Sequence, residues 1–531
     1  MKLRTLKELD PSEGTVQLVD RGNSSGAEHL GNNDIILVPQ PSHDPNDPLL
    51  WPQWKKMVVF INVLVFTFLG NANIGGLSPG LANIATEFGK DGAGVSGLLT
   101  WPILILGCSN FFWTPMAIWI GKRPVFVVAS CILFATCVWA QGSKSFDSLL
   151  ASVVIGSFAS GSTEALGAAI VNDLFFLHER GAKMGIYLVF LSLGSSIGPL
   201  CGGFIIQNCG WVWFKRIMAI FTGVNFATVV LFAPETRFSR VLSIPTETDT
   251  SSTAIPDERP GEKVATDTAH EEECTASVVQ PVPKRSYLQS LSLWSGTAQD
   301  GGILEIFIRP FALIVYPANF FAMISYAISL AWIVVVATNI SFLLSAKPYS
   351  FSPSIIGLVN LPTMIGNLLG ALATGWPSDK YAQWKSRRSD GVFQPEVRLL
   401  FNWLPGVFVP AGLLMYGYGA ADQLPWIVIF IGAGCIAVGL TAVANVGMTY
   451  SVESYYPIAA ESLLVINGFK NILAWAISYR GIQWIEDQGF KNAFGTMAGV
   501  TVAVLMFTVP LAFYGHRVRH YTSTNLRLIC W

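Results

Sequence analysis

Stretches free of Asp, Glu, Lys and Arg recur along the chain at residues 57–86, 92–121, 124–143, 148–163, 184–214, 217–234, 310–346, 348–378, 399–421, 423–452, 471–479 and 492–515. A bilayer core about 30 Å thick takes about 20 helical residues at 1.5 Å each. Two of the stretches need extension across a charge to reach that length. The fourth continues through Glu164 to about Asn172, and the eleventh begins near Ser462 and contains Lys470. The pattern thus predicts an all-α membrane protein with twelve transmembrane helices, grouped six and six. The groups occupy residues 55–234 and 310–515. Between them, residues 235–309 are rich in Ser, Thr, Pro, Glu and Asp and predict a disordered linker. Residues 1–54 read the same way, and residues 516–531 form a short polar tail.

Composition agrees. Only 13% of the 531 residues are charged, against 52% hydrophobic, and soluble domains carry roughly a quarter charged residues. A soluble fold of this size could not cover its surface. With 33 Lys and Arg against 34 Asp and Glu, the basic footprint of a nucleic-acid binder is absent. The eight cysteines are scattered without CxxC spacing, so neither a metal site nor a disulfide framework is expected. A polar N-terminus leaves no cleavable signal peptide, and the first span is expected to act as the targeting signal. Twelve spans put both termini on one side. Lys55, Lys56, Lys122, Arg123, Arg180, Lys183, Lys380, Lys385, Arg387, Arg388, Arg398, Arg517 and Arg519 fall on that side, which the positive-inside rule makes cytoplasmic. Lys90, Lys144 and Lys347 stand alone on the other face, and Lys215/Arg216 is its one cationic pair.

Short motifs then sit where this topology places them. Gly194, Gly198, Pro199, Gly202 and Gly203 in the fifth span give G-x-x-x-G-P-x-x-G-G. Small residues four apart let helices approach closely, and Pro199 removes one backbone hydrogen bond and permits bending. The spacing resembles the motif of drug:proton antiporters in the major facilitator superfamily. Pro115 to Pro124, with Gly121, Lys122 and Arg123, is similar to that family's first cytoplasmic loop. Gly375, Asp379, Arg387, Arg388 and Arg398 resemble the loop of its fungal drug:proton antiporter and polyamine-transporter groups. Asp47 to Lys55, Asp173 to Gly185, Pro234-Glu235-Thr236 and Lys470-Asn471 match in order along residues 45–515. The resemblance implies a major facilitator fold, two six-helix bundles working by alternating access. It also implies a cytoplasmic gate at Gly121, Lys122, Arg123, Gly375, Asp379, Arg387 and Arg388. In two places the chain departs from the pattern. The acid of the first loop is replaced by Ile118, and in span four R-x-x-Q-G reads Ser152, Ile155, Gly156. The missing arginine is often linked to proton coupling.

Ionisable groups inside a bilayer are costly and mark function by default. Two stand deep in the spans: Glu164 and Lys470, at similar depth. Glu164 is open to three readings: binding a cationic substrate, carrying a coupled proton, or pairing structurally. For Lys470 a structural pair or gate is favoured. Helical spacing adds Asn467, Asn471, Ala474 and Ser478 as one stripe, Asn319, Met323 and Tyr326 beside Pro317 as another, and Asn71, Gly75 and Ser78 as a third. Within the resembled family, spans 1, 4, 7 and 10 line the cavity, which singles out Asn71, Glu164, Tyr326 and Asn445. For each asparagine the alternative is ordinary interhelical hydrogen bonding.

No P-loop, GxSxG or HExxH stands in the sequence; neither an enzyme nor a cofactor is expected. The expectation is a multi-pass plasma-membrane exporter of a small organic molecule (a drug, secondary metabolite or polyamine-like cation) by proton antiport, acting as a monomer whose partners are its substrate, protons and lipid. A proton-independent facilitator or importer remains open, as does a non-transporting membrane sensor.

Overall fold

The structure is a computed structural model that describes residues 2–5, 44–237, 286–292, 303–388, 394–455, 458–525 and 527–530. Most of the expected disordered N-terminus and linker lies outside these residues.

The spans are α1 (Gln53–Gly75), α2 (Gly92–Trp119), α3 (Lys122–Gln141), α4 (Phe146–Leu174), α5 (Leu177–Cys209), α6 (Trp211–Phe232), α7 (Pro317–Ser345), α8 (Asn360–Thr374), α9 (Trp403–Ala421), α10 (Trp426–Ser454), α11 (Ala459–Ser478) and α12 (Gly481–Met506). Eleven helical segments among the described residues are long and apolar enough to cross a membrane. The remaining helix is α11, 20 residues long and carrying Glu461 and Lys470. It runs between two crossing helices, so it crosses as well, and its two charges account for its weaker apolar signal. Twelve crossings return the chain to its starting side, called the terminal end below. There Lys2–Thr5 pairs antiparallel with Arg527–Cys530, a contact that the expected disordered N-terminus and polar tail did not include.

Helix starts are built from the sequence immediately before them. Asp47 accepts from the Leu49 amide at 3.0 Å and caps the turn leading into α1, and Asp91 accepts from Gly94 at the start of α2. Such side chains satisfy amides that have no partner within the helix. In α12, Gly489 has φ 77°, so the helix bends there and the crossing part follows it.

Each half has its own apolar core. One gathers Phe60, Phe66, Phe126, Val153 and Phe175 from α1, α3 and α4 and the turn after it. The other gathers Trp332, Val335, Leu413, Tyr416, Ile436 and Phe494 from α7, α9, α10 and α12. Between the halves run two seams, α2 against α11 and α5 against α8. A Cβ on Gly107 would come within 2.7 Å of the Gly468 carbonyl. On the second seam, Gly203 faces the Pro353 carbonyl and the Cα of Gly357. At the end opposite the termini, Ser341 Oγ donates to Pro79 O at 3.1 Å and accepts from the Ala82 amide, which joins the start of one half to the other.

The glycine motif of α5 divides between two neighbours. Gly194, Gly198 and Gly202 lie against Phe68, Ala72 and Gly76 of α1 and the residue after it, while Gly203 faces the other half. Pro199 sits within an unbroken helix and touches Gly75. The residue type is set by this contact, because a Cβ on Gly202 would stand 2.2 Å from the Gly76 carbonyl. Gly202→Val should therefore destabilise the protein by about 1–3 kcal/mol or block folding. Gly499→Ala, with nothing within 4 Å of the new Cβ, should be neutral or stabilise by up to about 1 kcal/mol. Thermal unfolding in detergent compares the two.

Candidate functional site

The two deep charges meet. Glu164 enters from α4 and Lys470 from α11, each about 15 Å from the terminal end at 1.5 Å per residue. Lys470 Nζ donates to Glu164 Oε1 at 3.0 Å, with side-chain exposures of 4% and 11%. The other carboxylate oxygen accepts from Asn110 Nδ2 of α2 at 2.7 Å and from Asn471 Nδ2 of α11 at 3.3 Å. The ammonium also donates to Asn467 Oδ1 at 2.8 Å and lies 4.5 Å from the centre of the Tyr326 ring of α7. One ion pair thus joins the halves, with two helices from each contributing.

Close packing makes this meeting possible. A Cβ on Gly161, three residues before Glu164, would collide with Ser109 of α2, so α2 and α4 are in contact at the depth of the site. Buried Ser157, Ser160 and Ser162 return their hydroxyls to carbonyls of their own helix. These three hydroxyls are therefore satisfied within the helix, while the hydroxyl of buried Thr163, beside Glu164, has no hydrogen-bond partner among the described residues. Aromatic clusters bracket the ion pair along the α2–α11 seam. Trp101, Trp475 and Tyr479 pack together on the far side. Phe111, Phe311 and Phe469 do so on the terminal side.

The other expected site residues are placed differently. Asn71 donates to Thr67 O in its own helix and packs beside Gly194. Asn445 of α10 donates to Thr374 Oγ1 of α8 at 3.1 Å, an interhelical tie within the second half. Asn319 is fully buried; it donates to Leu313 O and Ser462 Oγ and accepts from Ser451 Oγ, knitting α7, α10 and α11. Of the singled-out residues, then, the structure brings together Glu164, Lys470, Asn467, Asn471 and Tyr326. It adds Asn110, which no spacing argument had selected, since a lone Asn in an apolar span carries no periodic signal. Lys215 was also missed as a deep charge. Only 1% exposed, it donates to Asn73 Oδ1 at 2.7 Å inside the first half. Its place beside Arg216 reads as a membrane boundary, and only packing shows that it turns inward.

A family model for the Major Facilitator Superfamily matches residues 63–479. The chain belongs to this superfamily. It is 25% identical to an uncharacterized MFS-type transporter of Schizosaccharomyces pombe, covering 96% of this chain and 93% of that protein. It is 24% identical to Protein HOL1 of Saccharomyces cerevisiae, covering 93% of each. Efflux pump radE of Floropilus chiversii is also 24% identical, with 91% of this chain and 85% of the pump covered. In fold it is similar to a mutant of the peptide transporter POT, with TM-score 0.61 and 12% identity over 90% of this chain and all of that one. The human organic anion transporter MFSD10 gives TM-score 0.52 and 16% identity over 86% of this chain and all of that one. The protein is a multi-pass membrane transporter of the superfamily, with fungal efflux pumps among its relatives.

The superfamily's loop motifs form a separate network in each half at the terminal end. In the first half, Lys122 Nζ donates to Asp173 Oδ2 at 2.5 Å and to Ala169 O. Glu235 accepts from the amides of Lys122 and Arg123 and so caps α3. Gly121 is required beside it: its φ is +119°, and a Cβ would stand 2.5 Å from Glu235 Oε2. Glu235 and Asp173 are thus the carboxylates that answer this loop. Arg123 reaches Ala233 O, Val230 O and, in the linker, Leu291 O. In the second half, Asp379 is held by a cation farther along the chain. Arg398 holds Asp379 Oδ1 and Glu453 Oε2, each at 2.6 Å. Arg388 stacks on Trp384, because its place late in the helix Trp376–Arg388 carries it away from Asp379. The side chain of Arg387 lies outside the described residues. Gly375 ends α8 beside Asn445. The ion pairs described here therefore brace each half internally instead of clipping the two together. At the departed span-four motif, Ser152 is buried and donates to Leu149 O, while Ile155 is exposed on the helix surface.

Removing one partner of a buried ion pair leaves the other charge uncompensated, at a cost of about 3–5 kcal/mol, whereas removing both is close to neutral. Glu164→Gln and Lys470→Met should each lower stability by that order, and the double variant should recover most of the loss. A double-mutant cycle of thermal unfolding in detergent measures it; additive losses would show that the pair is not coupled.

Proposed function

We propose that the protein exports a small organic molecule (a drug, secondary metabolite or polyamine-like cation) by proton antiport and alternating access, with Glu164 as the group that handles the proton or cation. The observation that carries this reading is the Glu164–Lys470 pair across the α2–α11 seam. Rocking of the halves opens and closes such a seam. When the pair parts, the carboxylate in a low-dielectric site requires a new positive charge, supplied by a proton or by cargo. Asn110 and Asn471 orient the carboxylate, Lys470 is its resting counter-ion, and Gly194 to Gly203 allow α5 to slide on α1 and α8. The relatives named as efflux pumps support the outward direction. The distribution of lysine and arginine supports cytoplasmic termini and linker, and the family analogy supports the plasma membrane and a monomer.

A proton-independent facilitator is the second reading. It is favoured by Lys470, which already neutralises Glu164, and by Ser152 standing where the family has its arginine.

Flux of candidate drugs, amines and amphipathic metabolites into proteoliposomes, with and without an imposed pH gradient, separates the two. Antiport predicts gradient-driven flux in the wild type and loss of the gradient response in Glu164→Gln. Equal flux with and without the gradient supports the facilitator.

A further inference from the structure

Lys470 does more than neutralise Glu164. Its ammonium has three N–H donors. Glu164 Oε1 at 3.0 Å and Asn467 Oδ1 at 2.8 Å take two of them, and the Tyr326 ring lies 4.5 Å away. Three helices, α4, α7 and α11, furnish these partners, which meet the ammonium with a carboxylate, an amide oxygen and a ring face. The occupant is a side chain on a flexible four-carbon stem.

We propose that Lys470 is a displaceable stand-in for cargo, and that Glu164, Asn467 and Tyr326 form a binding site for a primary ammonium group. The proposal rests on reading Glu164 as the cation-handling residue and names the chemistry it selects. Two other cation classes fit poorly. A guanidinium is a planar fork that favours both oxygens of a carboxylate, but Glu164 Oε2 already accepts from Asn110 and Asn471. A quaternary ammonium has no N–H and is held by a cage of aromatic faces. Here, among the described residues, the Tyr326 face is the aromatic surface recorded over the charge. A cargo amine enters as Lys470 swings off, so the carboxylate keeps a counter-ion throughout the exchange. No covalent step is involved.

The test uses the full-length purified protein and three simple cations: n-butylammonium, methylguanidinium and tetramethylammonium. Lys470→Ala vacates the ammonium position. Its thermal stability should rise with n-butylammonium at concentrations where the other two have no effect, and Glu164→Gln/Lys470→Ala should lose the response. Wild type, which requires no variant to fold, should show the same order at concentrations higher by about tenfold or more, because the tethered lysine competes at high effective concentration. Equal stabilisation by all three cations, no stabilisation by any, or an unchanged response in the double variant overturns the proposal. Selective amine binding without pH-driven flux sinks the antiport reading and leaves the ammonium site standing. Gradient-driven flux that depends on Glu164, without amine selectivity, does the reverse.

Discussion

A charge inside a bilayer must be answered by protein, because no water is there to answer it. Glu164 and Lys470 obey that constraint by finding each other across the boundary between two bundles, and much of the surrounding packing serves the meeting. Gly161 brings α4 against Ser109 of α2, and Gly107 brings α2 against Gly468 of α11. The helices carrying Glu164, Asn110 and Lys470 are thereby held within hydrogen-bonding reach of a single carboxylate.

The same constraint distributes stiffness. Within each half, helices are joined by apolar cores and, at the terminal end, by multidentate charged networks: Glu235 capping α3, and Arg398 between Asp379 and Glu453. Across the seams the contacts include glycine against backbone, stacked, tilted and T-shaped aromatic pairs, single hydrogen bonds at Ser341 and Gln207, and one ion pair with its Asn471 amide. Contacts of the second kind part with little reorganisation of the bodies they join. Two rigid bundles sharing a seam of small contacts is the mechanical arrangement that rocking requires.

Placing the ion pair on that seam ties charge to motion. Glu164 keeps Asn110 on its own half, while Lys470, Asn467 and Asn471 all travel with α11. In the proposed rocking, the contacts of the carboxylate with Lys470 and Asn471 are thus the ones that cross the moving boundary. A structural pair inside one bundle, such as Lys122 with Asp173, crosses no such boundary. Location, more than chemical identity, distinguishes the two carboxylates.

The fold class was legible in the sequence because transmembrane helices are set locally: twenty apolar residues form a crossing helix whatever lies beside them. The six-and-six grouping and the family motifs follow from the same local record. The depth of Glu164 and Lys470 was legible too, since depth is a count of residues along a helix. Which groups would meet was not. Asn71 and Asn445 share the spacing and polarity of Asn471, yet they turn to their own half, and rotation of a helix about its axis is decided by packing. Asp379 stands nearer in sequence to Arg387 and Arg388, but the chain folds Arg398 back onto it. Lys215, beside Arg216 at a helix start, turns inward to Asn73 where its neighbour does not. Sequence alone determined how many helices cross and how far along their helices Glu164 and Lys470 lie. Tertiary structure decided partners, because azimuth and interhelical distance depend on residues far apart in the chain.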